Sequence, residues 1–285
     1  MKKLSLLFWV NLFILSAIAQ DLENSLLWKI EKNGEKPSYL FGTIHVLPQA
    51  DFELDEKVKK AFSESEELIM EMDLTDPTLQ AKMFQGMNMA DGMTLDKLLS
   101  KEDYDALGKK VSSIEGTPPF AMMNAFKPFM VATMMMGEYV GSQPASFEMT
   151  LMSMASENQM SVSGLESIEY QMAVFDSIPY ESQAEDLMEM VYEEEKMKTL
   201  FSRMVQEYKD EEVNALFTSI SEYSDSEDEM EFLLYRRNAS WAEKLDGMIG
   251  EKTYFIGVGA GHLGGEKGVI KLMRNKGYTV SSVMD

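Results

Sequence analysis

The sequence predicts an α/β fold: a central parallel or mixed sheet flanked by helices, with a large helical cover, in one domain. Three observations predict it. Strand-like and helix-like patterns alternate along the chain, with strands near Leu26, Tyr39, Leu68, Val162, Tyr254 and Thr279. The apolar run Tyr254-Phe255-Ile256-Gly257-Val258 enters the glycine cluster Gly259-Ala260-Gly261-His262-Leu263-Gly264-Gly265, and a helical pattern follows over 266–274, which reads as strand, tight turn and helix. The chain has 2 histidines, His45 and His262, and each stands three residues after a glycine at the end of a predicted strand. Singly, either is explained by backbone bonds in a turn. As a pair they suggest two halves of one site at the carboxyl edge of the sheet, where open α/β folds bind ligands.

Taken in order, Lys2-Lys3, an apolar core over 6–15 and Ser16-Ala17-Ile18-Ala19 make residues 1–19 a secretory signal peptide, leaving 20–285 as the α/β domain. The core falls short of the about 20 residues of a membrane span, and no later stretch is both long and uncharged enough. The protein is expected to be exported, periplasmic or secreted, without stable membrane insertion. With 0 cysteines there is no disulfide, no lipid-anchored cysteine and no thiol nucleophile. The formal charge of −22 becomes −24 once Lys2 and Lys3 are removed, an acidity that repels nucleic acid and anionic membranes.

Residues 26–32 alternate as a half-buried strand does, Asn33-Gly34 is a hairpin turn, and 38–43 is the returning strand that delivers His45. An acidic amphipathic helix is predicted over 55–64. The next strand, 67–74, is apolar except for the carboxylate of Glu71. A buried carboxylate without a partner costs several kcal/mol, so Glu71 implies a cation, a hydrogen-bonding network or an exposed strand end. Residues 76–158 read as largely helical, clearest over 95–107 and 124–139, with a break at Gly116-Thr117-Pro118-Pro119. Methionine is abundant there, 26 in the whole chain, as flexible core filler or as a pliable apolar groove.

Ser161-Val162-Ser163-Gly164-Leu165-Glu166 returns to strand and puts Glu166 at another carboxyl end, either in the site or as the N-cap of the helix that starts near Ser167. Long charged helices are predicted over 182–209, 211–223 and 227–248, and on the last Arg236-Arg237-Asn238 interrupts an acidic surface before Trp241. Gly259-x-Gly261-x-x-Gly264, with Asp285 about 20 residues on, spells a dinucleotide fingerprint. It is rejected because this is the last βαβ unit of the chain, with no further strands to build the mononucleotide halves such a site needs.

These pieces resemble the TraB/GumN family, which includes the Tiki-type metalloproteases and belongs with the erythromycin esterase and ChaN-like proteins. The matching residues are Leu27-Trp28-Lys29 with Phe41-Gly42-Thr43-Ile44-His45, Glu71, Gly164-Leu165-Glu166-Ser167 with Gln171, Arg237-Asn238 with Trp241, and Gly257-Val258-Gly259-Ala260-Gly261-His262. The resemblance implies an α/β core with a helical cover and, for the Tiki branch, a divalent-metal-dependent protease. It carries His45, Glu71 and His262 over as metal ligands, with Glu166, Arg237 and Asn238 in the same pocket.

The expected activity is metal-assisted hydrolysis with Mn, Co or Zn, of a peptide more than of an ester, on a peptide or small-molecule substrate. Two imidazoles and a carboxylate hold such an ion and leave positions open. Glu166 is the expected proton acceptor, Arg237 the expected partner of the developing oxyanion, and the strand-end glycines clear room for the substrate backbone. The alternative is a non-catalytic carrier that binds haem or an apolar peptide through the histidines and the methionine-rich helices.

Overall fold

The computed structural model describes residues 22–284 except 33, 142, 225 and 226, so the signal pattern over 1–19 and Asn33 of the predicted turn lie outside the described residues. Strands β1 (Leu27–Glu31), β2 (Ser38–Thr43), β4 (Glu67–Met72), β6 (Ser161–Glu166), β7 (Tyr254–Gly259) and β8 (Thr279–Ser282) form one mixed sheet in the order β6-β4-β7-β2-β1-β8. Two short strands, β3 (Leu47–Pro48) and β5 (Pro144–Ala145), pair separately.

β1 and β2 make the antiparallel hairpin that alternation predicts, with Trp28 opposite Leu40 and Ile30 opposite Ser38. β2, β7, β4 and β6 run parallel. Parallel strands are covered on both faces, so they read as near-continuous apolar runs. That is why β4 (ELIMEM) and β7 (YFIGVG) carry so little polarity and are almost wholly buried. Because the four strands share direction and register, Thr43 lies level with Gly259 and Met72 with Glu166, and the carboxyl ends of all four open on one edge.

The two long crossovers, β4 to β6 and β6 to β7, hold most of the helices. They bury a second apolar cluster apart from the sheet core, built from Leu95, Leu107, Val111, Val131, Leu187 and the methionines Met89, Met123, Met135, Met188, Met190 and Met197. These methionines act as core filler, which suits an unbranched side chain fitted between irregularly placed helices. Lys127, 2% exposed, ties this cover to the helix Ile168–Asp176 through a 2.7 Å ion pair with Asp176.

Helix boundaries differ from the sequence reading in several places, among them the helix predicted over 182–209, which is two helices, Tyr180–Tyr192 and Glu194–Lys209. The pattern over 95–107 divides at Leu99, because the Ser100 hydroxyl accepts from the Asp103 N–H and starts a new helix, Lys101–Ser113. The helix expected from 124 begins at Pro128, whose missing N–H suits a first helical position. The helix predicted over 227–248 contains a π-helical stretch, Glu231–Tyr235, directly before Arg236–Asp246. Such bulges occur often at functional sites, and this one precedes two buried polar side chains, Arg237 and Asn238. Among the described residues no helix is long and apolar enough to cross a membrane.

Candidate active site

Four carboxyl ends supply the site. His45 lies two residues beyond β2, Glu71 is near the end of β4, Glu166 closes β6, and His262 ends the single turn Ala260–His262 that follows β7. Arg237 and Asn238 reach the same place from the helix Arg236–Asp246. The structure thus brings together all six residues singled out in the sequence.

Glu71 is buried, 8% exposed, so the exposed-strand-end reading of it does not hold. Its Oε2 accepts from the Arg237 guanidinium at 2.6 Å and from Gln171 Nε2 at 3.2 Å, and its Oε1 accepts from the Gly259 N–H at 2.8 Å. Burial works against the charged form, but His262, Arg237, His45 and the Gly259 N–H outweigh it and hold the carboxyl at about 2. Arg237 is the permanent cation among these, because burial lowers the His262 imidazole to about 3 and its charge acts on Glu71 only in acid.

The bonds around His262 fix its tautomer. Asn238 Nδ2 donates to the Lys267 carbonyl at 2.9 Å, which turns the amide oxygen toward the ring, and His262 Nδ1 lies 2.6 Å from that oxygen. Nδ1 therefore carries the hydrogen. Nε2 keeps its lone pair, which accepts from Arg237 Nη1 at 3.1 Å. Trp241 lies against the imidazole at 4.4 Å between ring centroids.

His45 is oriented the same way by a different partner. Its Nδ1 is 2.9 Å from Glu148 Oε1, and Glu148 is held in turn by the Thr43 and Ser146 hydroxyls. The bond to Glu148 raises the basicity of His45, whose side chain is 70% exposed and faces the open side of the site. Both histidines therefore present Nε2, each with Nδ1 tied to an outer oxygen, as metal-binding histidines do.

Gly259 shows where these groups converge. A Cβ built on it would lie 3.3 Å from Glu71 Oε1, 3.6 Å from His262 Cδ2 and 3.9 Å from His45 Nε2. The missing side chain leaves a cradle bounded by all three. The other glycines of the two motifs have different reasons to be glycine. A Cβ on Gly42 would meet Leu263 at 2.7 Å, and one on Gly261 would meet Ile220 at 2.6 Å, so these positions serve packing rather than substrate access.

Glu166 is fully engaged. Its Oε1 accepts from Arg237 Nε at 3.0 Å and Nη2 at 2.7 Å, and its Oε2 accepts from Arg237 Nε at 3.2 Å and Trp241 Nε1 at 3.0 Å. Burial raises its pKa, against the pull of Arg237 and the Trp241 N–H. It is not the cap of the next helix, because the Ser167 hydroxyl accepts from Tyr170 N and does that. Sequence reasoning did not find Glu148. The only local signal, an acidic residue in the first turn of Phe147–Glu157 behind the Ser146 cap, reads equally as ordinary helix-dipole chemistry.

As the side chains stand, no group of three or more His, Asp or Glu among the described residues could hold a metal ion, and the Arg237 guanidinium lies among the candidate ligands instead. The donor set nonetheless suits a divalent cation. His262 Nε2 and Glu71 Oε1 are 3.8 Å apart, within the span of two ligands each about 2.0–2.2 Å from one ion. Asn238 would act on any ion bound there through His262, so for a metal held by that imidazole Asn238→Ala is expected to weaken affinity by about 10–100-fold while the fold is kept, measured by competition with a chromophoric chelator.

A model of the TraB/PrgY/gumN family matches residues 26–282. Metalloprotease TIKI2 of Danio rerio is 34% identical over 107 residues, 37% of this chain and 21% of the relative. Metalloprotease TIKI1 of Xenopus tropicalis is 34% identical over 99 residues, 34% of this chain and 19% of the relative. Metalloprotease TIKI1 of Homo sapiens is 33% identical over 102 residues, 35% of this chain and 19% of the relative. The chain spans about a fifth of the length of these curated relatives. No solved structure matches it.

Proposed function

The chain belongs to the TraB/PrgY/gumN family, and from that premise we propose that it is an exported metal-dependent hydrolase, a peptidase, with His45, Glu71 and His262 as ligands. The observation that carries this reading is the cradle at Gly259, where one carboxylate and two outward-tied imidazoles face a common point. The relatives named metalloproteases support the same class. Export rests on the signal pattern over 1–19. Manganese, cobalt and zinc all accept this ligand set.

Held by His45, Glu71 and His262, a divalent ion would supply Lewis acidity toward a carbonyl and a bound water. The chain's own residues do the rest. Asn238 and Glu148 hold the two imidazoles so that Nε2 faces the cradle. Gly259 leaves the substrate backbone room to approach. Arg237 keeps a permanent positive charge at the edge of the cradle, suited to stabilising a developing oxyanion. Glu166, with both oxygens already accepting, positions that guanidinium rather than taking a proton, and Trp241 holds Glu166 in turn. The carrier reading has less support: the lone pair of His262 faces a guanidinium and a carboxylate, not the apolar slot that haem requires.

The test is to strip metal with a chelator, restore Mn, Co or Zn singly, and screen a mixed peptide library for cleavage. Turnover that returns with one of the ions supports the proposal. Cleavage that is indifferent to chelation removes the metal from the mechanism, and a Soret band on adding haem with no cleavage under any condition favours the carrier.

A further inference from the structure

His262 has a single lone pair to offer, at Nε2, because its Nδ1 hydrogen is committed to Asn238. Arg237 Nη1 takes that lone pair at 3.1 Å, while Nη2 of the same guanidinium lies 2.6 Å from Glu71 Oε2. One side chain of the protein therefore contacts two of the three groups that a bound cation would need. Elsewhere the guanidinium is firmly seated: Nε and Nη2 lie on Glu166, Nη1 also donates to the Leu233 carbonyl at 2.9 Å, and the group lies over the Trp241 ring at 4.8 Å. A small retreat toward Glu166, Leu233 and Trp241 would free Nε2 and leave the arginine paired.

We propose that Arg237 is a built-in competitor for the metal: its guanidinium and the divalent cation exclude each other at His262 Nε2, so metal uptake requires the arginine to withdraw onto Glu166. The inference rests on the metal-dependent reading above. Physically, the arginine solves a problem that such a site creates for the fold. A buried carboxylate beside a neutral imidazole is costly with no cation near it, and Arg237 meets that cost from within the chain. The consequence is weaker metal binding than the donor set alone would give, since two occupants contend for one lone pair. Glu166, which already accepts from Nε and Nη2, then acts as the seat that keeps the guanidinium once Nη1 has left His262.

The experiment measures affinity and melting temperature, without an activity assay. Metal-stripped wild type, Arg237→Lys and Arg237→Met are titrated with Zn, Mn and Co against a chromophoric chelator, and thermal unfolding is followed with and without each ion. Lysine keeps a charge for the carboxylates but lacks the planar fork that reaches Nε2. Arg237→Lys is expected to bind metal about tenfold or more tightly than wild type. The metal-induced rise in melting temperature should be larger in both variants than in wild type. A variant that folds only when metal is present gives the same answer, because the ion then does what the arginine did.

A folded Arg237→Lys with affinity equal to or weaker than wild type overturns the proposal. So does a variant that stays unfolded at saturating metal. If wild type itself binds none of the three ions, the metal-dependent reading fails, whereas wild-type binding without the gain in Arg237→Lys fails only the competition.

Discussion

Glu71→Gln is expected to lower the stability of the metal-stripped protein by about 3 kcal/mol, because removing one partner of a buried ion pair strands the other. Glutamine keeps the shape and an acceptor for the Gly259 N–H, so the loss reports the missing charge beside Arg237 rather than a cavity. Arg237→Met should cost more than Glu71→Gln, since it strands two carboxylates, Glu71 and Glu166, where the other strands part of one guanidinium. Denaturant unfolding of the single and double variants checks both statements. The two losses should not add, because each removes the same interaction. The sign of the pH dependence follows from the direction of the shift. Glu71 is held at about 2 against an ordinary 4.5, so its contribution is complete above pH 4.5 and fades as pH falls through about 2. Glu71→Gln should therefore flatten the acid limb of the stability curve over that window. A loss below about 1 kcal/mol, the size of an exposed pair, would contradict the buried pairing described above.

Gly259→Ala is expected to abolish peptide cleavage, a loss of at least about 100-fold, while changing stability by less than about 1 kcal/mol. The backbone there has φ −53 and ψ 135, which alanine adopts without strain. Its methyl group would nevertheless stand 3.3 Å from Glu71 Oε1 and 3.9 Å from His45 Nε2, inside the cradle on which the ligands converge. The neighbouring glycines provide the contrast. Gly42→Ala drives a Cβ to 2.7 Å from Leu263 and 3.1 Å from the Ala260 backbone, so it should reduce stability and activity together. Paired melting curves and peptide-cleavage rates for the two variants separate a blocked site from a disturbed core. Undiminished cleavage by Gly259→Ala would show that the cradle is not where chemistry occurs.

Much of this architecture is legible in the chain because it is written in local patterns. Alternation over 27–31 and the apolar runs of β4 and β7 mark their strands, and the strand-to-glycine transitions place His45 and His262 at one edge once the strands run parallel. Glu71 stands out because a carboxylate within an apolar strand demands a partner. The partners themselves are not legible in local pattern, and Gln171 and Trp241 enter the site only through the family resemblance. Glu148 is 103 residues from His45, Gln171 is 100 from Glu71, and Trp241 is 75 from Glu166, and no periodicity connects positions so far apart. The same limit explains Glu166: its position at a strand end suggests an open carboxylate, and only tertiary structure reveals that Arg237 and Trp241 occupy both oxygens. The methionines of the cover are compatible in sequence with either a groove or a core, and the burial of Met123, Met135 and Met190 decides for core at those positions.

The central claim, that His45, Glu71 and His262 hold one divalent ion between them, is tested most directly by metal content. Wild type, His45→Ala, Glu71→Gln and His262→Ala are loaded with Zn, Mn or Co, dialysed against metal-free buffer, and analysed by inductively coupled plasma mass spectrometry, with circular dichroism to establish that each is folded. The account predicts about one ion per chain in wild type and a clear loss in each of the three folded variants. A wild type that retains none of the three ions, or a folded variant that retains as much as wild type, would contradict it.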